Sequence, residues 1–385
     1  MKLSVSKRSE RIVQSEIRAM SIECDKIDGI NLAQGVCDLE LPIPVKRGAQ
    51  DAIDKGINHY TRYDGLQELR TAIAVKMSEF NNISVDPEKN IIVSCGATGA
   101  FYSACLALLN PGDEVIIFEP YYGYHINTLL AVGAKPVYAM MIPPKWTFGL
   151  GDLEKLITGK TKGLMINTPA NPSGKVFSRA ELEILADFSI KHDLFIFTDE
   201  IYEYFIYDGL KHISPGSLPE IQDRTITISG PSKTFSITGW RIGYCACDEK
   251  WATMIGYIND LVYVCGPAPL QMGVAQGIEE LPDNFYKSLC EEYRLKRDKI
   301  CSVLEKVELK PFIPEGAYYV LADVGGLPGK TSKEKAMYLL HKTGVAGVPG
   351  SAFYHDCGGE QLVRFCFAKK DEELDQACEQ LLNLL

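Results

Sequence analysis

The feature that most constrains this chain is a series of short apolar segments that alternate with longer amphipathic ones. The short segments are rich in Ile, Val, Leu and Phe and occupy residues 91–93, 115–118, 164–167, 194–197, 225–228 and 242–245. Between them lie segments with apolar residues at helical spacing, of which 178–192 is one. Strands that are apolar on both faces and alternate with helices predict an α/β fold, with a mostly parallel sheet covered by helices on both sides.

Chain length and a long charged segment predict two domains. The 385 residues exceed what one simple hydrophobic core commonly organises. A charged helix is predicted over 284–307 and a C-terminal helix over 372–385. Placing the boundary near the first of these helices predicts a large domain over 46–284. Residues 1–45 and 285–385 are expected to form a smaller α/β domain together.

Charge and apolar patterning exclude several classes of protein. The net charge of −10 is spread along the chain, so no basic footprint for nucleic acid is present. No apolar run approaches the ~20 residues that span a bilayer, and residues 1–8 are not followed by the apolar run of a signal peptide. The 12 cysteines include no Cys-x-x-Cys motif, and several lie in apolar runs. This pattern favours a reducing, cytoplasmic location over a disulfide framework.

Four polar or glycine-rich clusters each follow one of the predicted strands. They are GATG at 96–99, NPSG at 171–174, DE at 199–200 and SK at 232–233. In open parallel sheets, ligands bind beyond the carboxyl ends of the strands. The four clusters should therefore converge on one edge of the sheet, and we predict a ligand site there.

Each cluster alone has an ordinary structural explanation. A glycine-rich turn can bind phosphate through its backbone N–H groups, but most such turns only reverse the chain. Asp199 at a strand end is by default a solvated or helix-capping carboxylate, Lys233 a surface lysine and Asn171 a turn residue. Their combination at one sheet edge is what favours a catalytic site.

Four longer segments resemble one enzyme family. They read PGDEV at 111–115, NTPANPSG at 167–174, TDEIY at 198–202 and SKTFSITGWRIGY at 232–244. In this order and at these separations they resemble the class I/II aminotransferases, which are fold type I enzymes dependent on pyridoxal 5'-phosphate. The resemblance covers nearly the whole chain and extends to aspartate, aromatic and kynurenine aminotransferases. It implies a large domain with a mostly parallel seven-stranded sheet sandwiched by helices, and a smaller α/β domain.

The resemblance implies catalytic roles for three residues. Lys233 is the amine that forms a Schiff base with the cofactor aldehyde and moves a proton between substrate and cofactor. Asp199 is the carboxylate that keeps the ring nitrogen protonated, so that the ring accepts electrons. Tyr202, together with Asn171, donates hydrogen bonds to the 3'-oxygen of the cofactor.

A phosphate site and a stacking ring are also implied by the resemblance. The phosphate would be bound by Gly96, Ala97, Thr98, Ser232 and Arg241. Arg241 suits this role because a guanidinium binds phosphate through two parallel hydrogen bonds. Tyr122 corresponds to the ring that stacks on the cofactor, with Tyr121 as the alternative, although core packing is an ordinary explanation for both. Tyr60 resembles the tyrosine that reaches the partner subunit's phosphate, which implies a homodimer with shared active sites.

Substrate binding is implied for Gly35, Asn171 and Arg364. Arg364 interrupts the apolar segment LVRFCFA at 362–368, where an unpaired guanidinium would be costly, so a paired or ligand-facing role is favoured. The resemblance assigns it the substrate α-carboxylate. Gly35 matches the glycine whose backbone approaches the same carboxylate, which only a residue without Cβ permits.

Three positions depart from the family pattern. Gly230 stands where many relatives have a Ser or Thr that binds phosphate, and CDLE at 37–40 replaces a Pro-Asp-Phe segment near the substrate entrance. Thr98 stands where some aspartate-selective relatives have a lysine for the distal carboxylate. Aromatic surface near the expected site comes from Tyr60, Tyr63, Tyr121, Tyr122 and Tyr124. We therefore expect aromatic or medium-sized apolar amino donors, with a dicarboxylic donor as the open alternative.

The expected function is amino-group transfer between an L-amino acid and a 2-oxo acid such as 2-oxoglutarate. The two half-reactions would alternate the cofactor between its pyridoxal and pyridoxamine forms, and no metal ion is expected. A C–S β-lyase of the same fold needs the same lysine, aspartate and arginine, so these motifs do not separate the two reactions. A non-catalytic regulator of this fold usually carries an N-terminal DNA-binding module, for which the few dozen residues before Gly35 leave no room.

Overall fold

The computed structural model describes residues 3–6, 8–12, 14–37, 39–356 and 358–385, so Asp38 of the segment 37–40 lies outside the described residues. The α-helices of this part of the chain are α1 Glu16–Asp25, α2 Ile43–Asp54, α3 Gln67–Glu79, α4 Gly96–Leu108, α5 Gly123–Val132, α6 Leu150–Lys155, α7 Arg179–Lys191, α8 Glu249–Tyr263, α9 Ala268–Glu280, α10 Asp283–Lys306, α11 Ser332–Thr343 and α12 Asp371–Leu381. The strands are β1 Ile30–Asn31, β2 Ile91–Cys95, β3 Glu114–Glu119, β4 Lys135–Met140, β5 Thr161–Asn167, β6 Phe195–Asp199, β7 Thr225–Ser229, β8 Ile242–Ala246, β9 Lys310–Phe312, β10 Tyr319–Asp323, β11 Val345–Ala346, β12 Val348–Pro349 and β13 Leu362–Cys366. None of the helices among the described residues combines the length and apolar character needed to cross a bilayer.

The central sheet has seven strands in the order β2-β8-β7-β6-β5-β3-β4. All of them run in one direction except β8, which is antiparallel to both of its neighbours. The carboxyl ends of β2, β3, β4, β5, β6 and β7 therefore meet at one edge, and β8 begins at that same edge. This arrangement brings the loops after six strands to one edge of the sheet.

Strand β5 shows why the central sheet is buried on both faces. Leu164 and Ile166 belong to the apolar cluster that includes α7, whereas Met165 belongs to the cluster that includes α4 and α5. Successive side chains of a strand point to opposite faces, so each face of β5 meets a helical layer. Burial on both sides explains the near-continuous apolar runs of these strands.

A second, antiparallel sheet has the order β12-β13-β10-β9. In a separate two-stranded sheet, the N-terminal strand β1 pairs in parallel with β11 from the C-terminal part of the chain. Arg364 lies in the middle of β13, opposite Leu321 of β10 and Val348 of β12. The 24-residue helix α10 precedes this sheet in the chain. The N-terminal helix α1 packs beside β1, β11 and β12 through Met20 and Cys24, which are fully buried.

The structure confirms the expected fold class and its seven-stranded, mostly parallel sheet. The sequence does not predict β4, an edge strand with Pro136 in which only Ala139 is buried. An edge strand accepts proline and partial exposure, so it lacks the apolar run that identifies central strands. All seven strands lie within 46–284 and the second sheet lies within 285–385, but the division into domains at these boundaries stays a prediction.

Candidate active site

Two adjoining cavities lie where the strands' carboxyl ends meet. The first cavity has a volume of about 440 Å³, and the second has a volume of about 390 Å³. Gly35, Asn171, Tyr122 and Lys233 line both. The other predicted site residues that line the first cavity are Ala97, Thr98, Asp199, Tyr202, Ser232 and Arg241. Arg364 lines the second cavity. The structure thus brings together residues from all four clusters.

Lys233 lies on the turn after β7, between the two cavities. Its Nζ donates a hydrogen bond to the carbonyl oxygen of Gly35 at 3.3 Å and lies 5.9 Å from the centre of the Tyr318 ring. Burial lowers the pKa of the Lys233 amine, against the smaller opposing effect of nearby groups that include Asp199. A lowered pKa raises the fraction of neutral amine, which is the form that attacks an aldehyde.

Asp199 ends β6 and is held through both carboxylate oxygens. Its Oδ2 lies 2.8 Å from Nε2 of His125, and its Oδ1 accepts a hydrogen bond from the Ile201 N–H at 3.2 Å. His125 is a buried residue of α5 whose ring meets that of Tyr122 edge to face at 5.3 Å. A carboxylate fixed in this way at the wall of a cavity stabilises a positive charge placed against it.

Two hydrogen-bond donors face the first cavity beside Asp199. The side-chain oxygen of Asn171 accepts from Arg364 Nη1 at 2.8 Å, and its backbone N–H donates to Asn167 at 2.8 Å. The Tyr202 hydroxyl lies 3.0 Å from that of Tyr319. Burial raises the pKa of the Tyr202 hydroxyl well above its ordinary value, so this group stays protonated and can donate.

Arg364 is fully buried and lines the second cavity. Its guanidinium lies between the rings of Tyr319 and Phe353, at 4.2 and 4.9 Å from their centres, and Nη2 donates to the carbonyl oxygen of Ala33 at 2.6 Å. Its Nε has no hydrogen-bond partner, and no carboxylate pairs with it, within the described residues. A buried guanidinium without a counter-charge is costly, so an anionic ligand is the expected partner.

The start of α4 forms a cradle for an anion. Cys95 gives the helix no side-chain cap, and Ala97 and Thr98 of its first turn line the first cavity. The first N–H groups of a helix have no partner within the helix, so they are suited to an anion. Gly96 has a φ of +80°, and a Cβ there would lie 2.5 Å from Nη2 of Arg241. Arg241 itself has a φ of 58° and donates to the carbonyl oxygen of Thr238 at 2.9 Å. A side chain at position 96 would be strained at this φ and would have to displace the Arg241 guanidinium from the helix start.

Three tyrosines of the predicted site differ in position. Tyr122 lines the first cavity, whereas Tyr121 does not and instead packs against Tyr138 at 5.7 Å. Tyr60 is 84% exposed and lines neither cavity.

The glycine at position 230, which departs from the family pattern, has a structural explanation, because a Cβ there would lie 2.8 Å from Cα of Gly243. Strands β7 and β8 are therefore too close at this point for the Ser or Thr that many relatives carry.

Comparison with known proteins identifies the family. The model of the family described as "Aminotransferase class I and II" matches residues 27–381. The chain belongs to the class I and II aminotransferases. Members of this family depend on pyridoxal phosphate and transfer amino groups between amino acids and oxo acids. This aminotransferase is therefore a pyridoxal-phosphate enzyme that catalyses the same transfer.

The relatives of this aminotransferase are named after several different amino-acid substrates. It is 36% identical to aspartate aminotransferase of Pyrococcus abyssi over 386 residues, covering 100% of this chain and 98% of the relative. It is also 36% identical to kynurenine–oxoglutarate transaminase 3 of Rattus norvegicus over 383 residues, covering 91% of this chain and 84% of the relative. The solved N-succinyldiaminopimelate aminotransferase of Mycobacterium tuberculosis superposes with a TM-score of 0.95, at 32% identity, over 99% of this chain and 100% of that one.

The first cavity fits the cofactor chemically. It combines an amine with a lowered pKa, a fixed carboxylate, a protonated phenol and an anion cradle in one volume of about 440 Å³. An aldehyde, a ring nitrogen, a ring oxygen and a phosphate are the four polar parts of pyridoxal phosphate. The donor set of this aminotransferase thus offers one complementary group for each part.

Sequence reasoning missed four residues that support the site. His125 holds Asp199, Asn167 holds the Asn171 backbone, and Tyr319 and Phe353 enclose Arg364. The only local signal for His125 is a histidine inside the apolar helical run of α5, three residues after Tyr122. Such a histidine is more often simply buried, so only the folded aminotransferase reveals its partner.

Proposed function

We propose that Lys233 is the lysine that holds the cofactor and moves the proton at the substrate Cα. Its position between the two cavities supports this role, since it lines both the cavity that fits the cofactor and the cavity that contains Arg364. In the same proposal, Arg364 binds the substrate α-carboxylate and Gly35 lets the backbone approach it. This shared position of Lys233 is the observation that carries the proposal.

Bound pyridoxal phosphate supplies an aldehyde and a ring that accepts electrons. When it is bound, Asp199 would hold the proton on the ring nitrogen, and His125 keeps Asp199 in place. Asn171 and Tyr202 would donate to the ring oxygen, and Tyr122 would contact the ring. The start of α4, Ser232 and Arg241 would bind the phosphate. The Ser232 hydroxyl, which donates to the carbonyl oxygen of Ile242 at 3.3 Å, would turn toward the phosphate.

For the amino donor we propose an aromatic or medium-sized apolar amino acid. The second cavity is lined by the rings of Tyr122 and Tyr124 and by the side chains of Ile17 and Ile22. These surfaces stabilise an apolar side chain by excluding water from it. The names of relatives, such as the aromatic-amino-acid aminotransferase 2 of Thermococcus litoralis, support the same class.

A donor comparison tests this proposal. Purified enzyme is assayed with phenylalanine, methionine, kynurenine and aspartate against 2-oxoglutarate. We expect kcat/KM for phenylalanine or methionine to exceed that for aspartate by about tenfold or more, because Tyr122, Tyr124, Ile17 and Ile22 stabilise a larger apolar side chain, whereas the short side chain of aspartate gains little from these surfaces. A kcat/KM for aspartate well above the other three would contradict the donor class and leave amino-group transfer itself intact.

We propose a homodimer in which Tyr60 reaches the partner subunit's phosphate site. The supporting feature is an apolar surface on and after α8, formed by Tyr257, Leu261, Val262 and Val264, whose exposures run from 41% to 81%. The Tyr60 segment lies beside it, since Tyr63 contacts Tyr257 with ring centres 5.7 Å apart. Exposed apolar side chains grouped in this way mark an interaction surface.

Sedimentation of two matched variants tests the dimer. Leu261→Asp places a charge on the α8 surface and should yield a monomer that binds cofactor at least about tenfold more weakly. Ile190→Asp changes a similarly apolar, exposed residue of α7 and should leave the dimer intact. An active wild-type monomer at assay concentration would overturn both the dimer and the role of Tyr60.

We also propose a cytoplasmic location for the enzyme, which is supported by its buried free cysteines, such as Cys105 and Cys245.

A further inference from the structure

One face of α1 forms a wall of the second cavity. Arg18, Ser21, Ile22 and Asp25 line it, and their spacing of three or four residues places them on one side of the helix. Lys233 and Arg364 line the same cavity. A substrate whose α-carboxylate lies on Arg364 would therefore have its side chain in the cavity that α1 helps to form.

Three of the four positively charged residues that line the two cavities already have an assigned role or a partner within the chain. Lys233 is assigned to the cofactor, and Arg241 lies in the anion cradle at the start of α4. Arg364 donates to Asn171 and Ala33 and is enclosed by aromatic rings. Arg18 is the one remaining cation that lines either cavity among the described residues.

Arg18 has no partner of its own. Its side chain is exposed and makes no hydrogen bond or ion pair within the described part of the chain. Asp25 is the acidic group of the same helix face, but seven residues of helix separate the two by about 10 Å along the axis. Glu16, the acidic neighbour at the start of α1, pairs with Lys333 at 3.2 Å instead. The guanidinium of Arg18 is therefore available to a ligand.

We infer that Arg18 is the specificity residue that binds the second carboxylate of a dicarboxylic 2-oxo acid acceptor. The inference rests on the proposed role of Arg364, which binds the first carboxylate in the same cavity. A guanidinium binds a carboxylate through two parallel hydrogen bonds, so Arg18 would recognise both the charge and the position of the distal group. An apolar donor side chain does not need this contact, and Arg18 then stays in water.

Steady-state kinetics of the holoenzyme test the inference with two acceptors. With one aromatic donor held fixed, Arg18→Gln should lower kcat/KM for 2-oxoglutarate at least about tenfold, chiefly through KM. The same variant should change kcat/KM for pyruvate, which has no second carboxylate, by less than about twofold. Arg18→Lys keeps a charge without the paired hydrogen bonds and should fall between wild type and Arg18→Gln.

Arg11→Gln is the matched control, because Arg11 is an exposed arginine of the same N-terminal segment that lines neither cavity. It should leave both acceptors unchanged. The inference is overturned if Arg18→Gln lowers both acceptors equally, if it lowers neither, or if Arg11→Gln gives the same selective loss. Failure of the proposed function would look different, since wild-type enzyme would then transfer no amino group to either acceptor.

A binding measurement separates affinity from turnover. Glutarate has two carboxylates and no reactive group, so calorimetry on the holoenzyme reports binding alone. Arg18→Gln should weaken glutarate at least about tenfold and leave butyrate, its monocarboxylate counterpart, unchanged. Unchanged glutarate binding in the variant would contradict the assignment of Arg18 even if the kinetic loss were present.

Discussion

The two sides of the active-site cavities differ in how far the protein itself satisfies their polar groups. On the cofactor side, Asp199 and Asn171 are buried and hydrogen-bonded to other residues of the chain. Arg18, which lines only the substrate cavity, is exposed, as are Gln34 and Tyr124, which line both cavities, and none of these side chains makes a hydrogen bond within the described residues. Fixed dipoles stabilise charge without reorganising, whereas free side chains can adjust to different ligands. The residues that act on the cofactor are therefore held in place before a substrate binds, whereas the residues that would select the substrate are not held by other side chains.

A substitution on the cofactor side of the site should reduce catalytic activity more than one on the substrate side. Asp199→Asn keeps the shape of the side chain but removes its charge. Without that charge the ring nitrogen of the cofactor would lose its proton, and the ring would then accept electrons poorly. We expect kcat to fall at least about 10³-fold while cofactor stays bound, measured by turnover and by the cofactor released on denaturation.

Asp193→Asn is the control for this variant, because Asp193 is an exposed carboxylate on the loop before β6 whose side chain is 88% exposed. It should retain wild-type activity. Near-wild-type turnover of Asp199→Asn would rule out the pyridinium role and would remove the reason for separating the two sides of the site.

His125 sharpens the comparison, since its hydrogen bond to Asp199 can be removed while a buried ring is kept. His125→Phe preserves a buried ring but removes the hydrogen bond to Asp199, and we expect kcat to fall between about tenfold and a hundredfold with donor KM unchanged. His125→Gln retains a donor and should recover part of this loss. His192→Phe, which changes a histidine paired with Glu154 away from the cavities, should have no such effect. Equal losses in both Phe variants would indicate a general structural effect rather than positioning.

The smallest effect concerns the stability of the apoprotein. Burial lowers the pKa of Lys233, so between that lowered pKa and about 10.4 the unfolded chain binds the proton and the folded chain does not. Stability contributed by this group therefore rises with pH across that window. Lys233→Met should be more stable than wild type at the acidic end of the window, with the difference shrinking toward its alkaline end.

Urea unfolding of the two apoproteins at several pH values measures this difference. Lys211→Met, which removes an exposed lysine, should show no such dependence on pH. A stability difference for Lys233→Met that stays constant with pH would mean that the Lys233 amine is not desolvated in the folded protein.

The sequence could predict the site where the backbone alone determines it. Parallel strands end at one edge, so the clusters after β2, β5, β6 and β7 had to meet once the strands were identified. The edge strand β4 could not be found in this way, because exposure and Pro136 remove the apolar pattern. Local signals are strong only where both faces of an element are buried.

Supporting contacts could not be predicted because they join distant parts of the chain. His125 and Asp199 are 74 residues apart and meet because α5 packs with α4 on one face of the central sheet. Tyr319 reaches Arg364 because β10 and β13 are paired, which the sequence pattern does not specify. Arg18 belongs to a short helix whose exposed face has no distinguishing pattern. Packing between elements therefore decides which polar side chains share a cavity.

The position of the cofactor-bearing lysine tests the central claim most directly. Borohydride reduction of the holoenzyme, followed by peptide mapping, fixes the cofactor on the lysine that holds it. We expect the added mass on the peptide containing Lys233, and none on that residue's peptide in Lys233→Ala. Lys175 is another buried lysine near the site, but it pairs with Glu181 at 2.8 Å. Recovery of the cofactor mass on Lys175 or any other lysine would contradict the account.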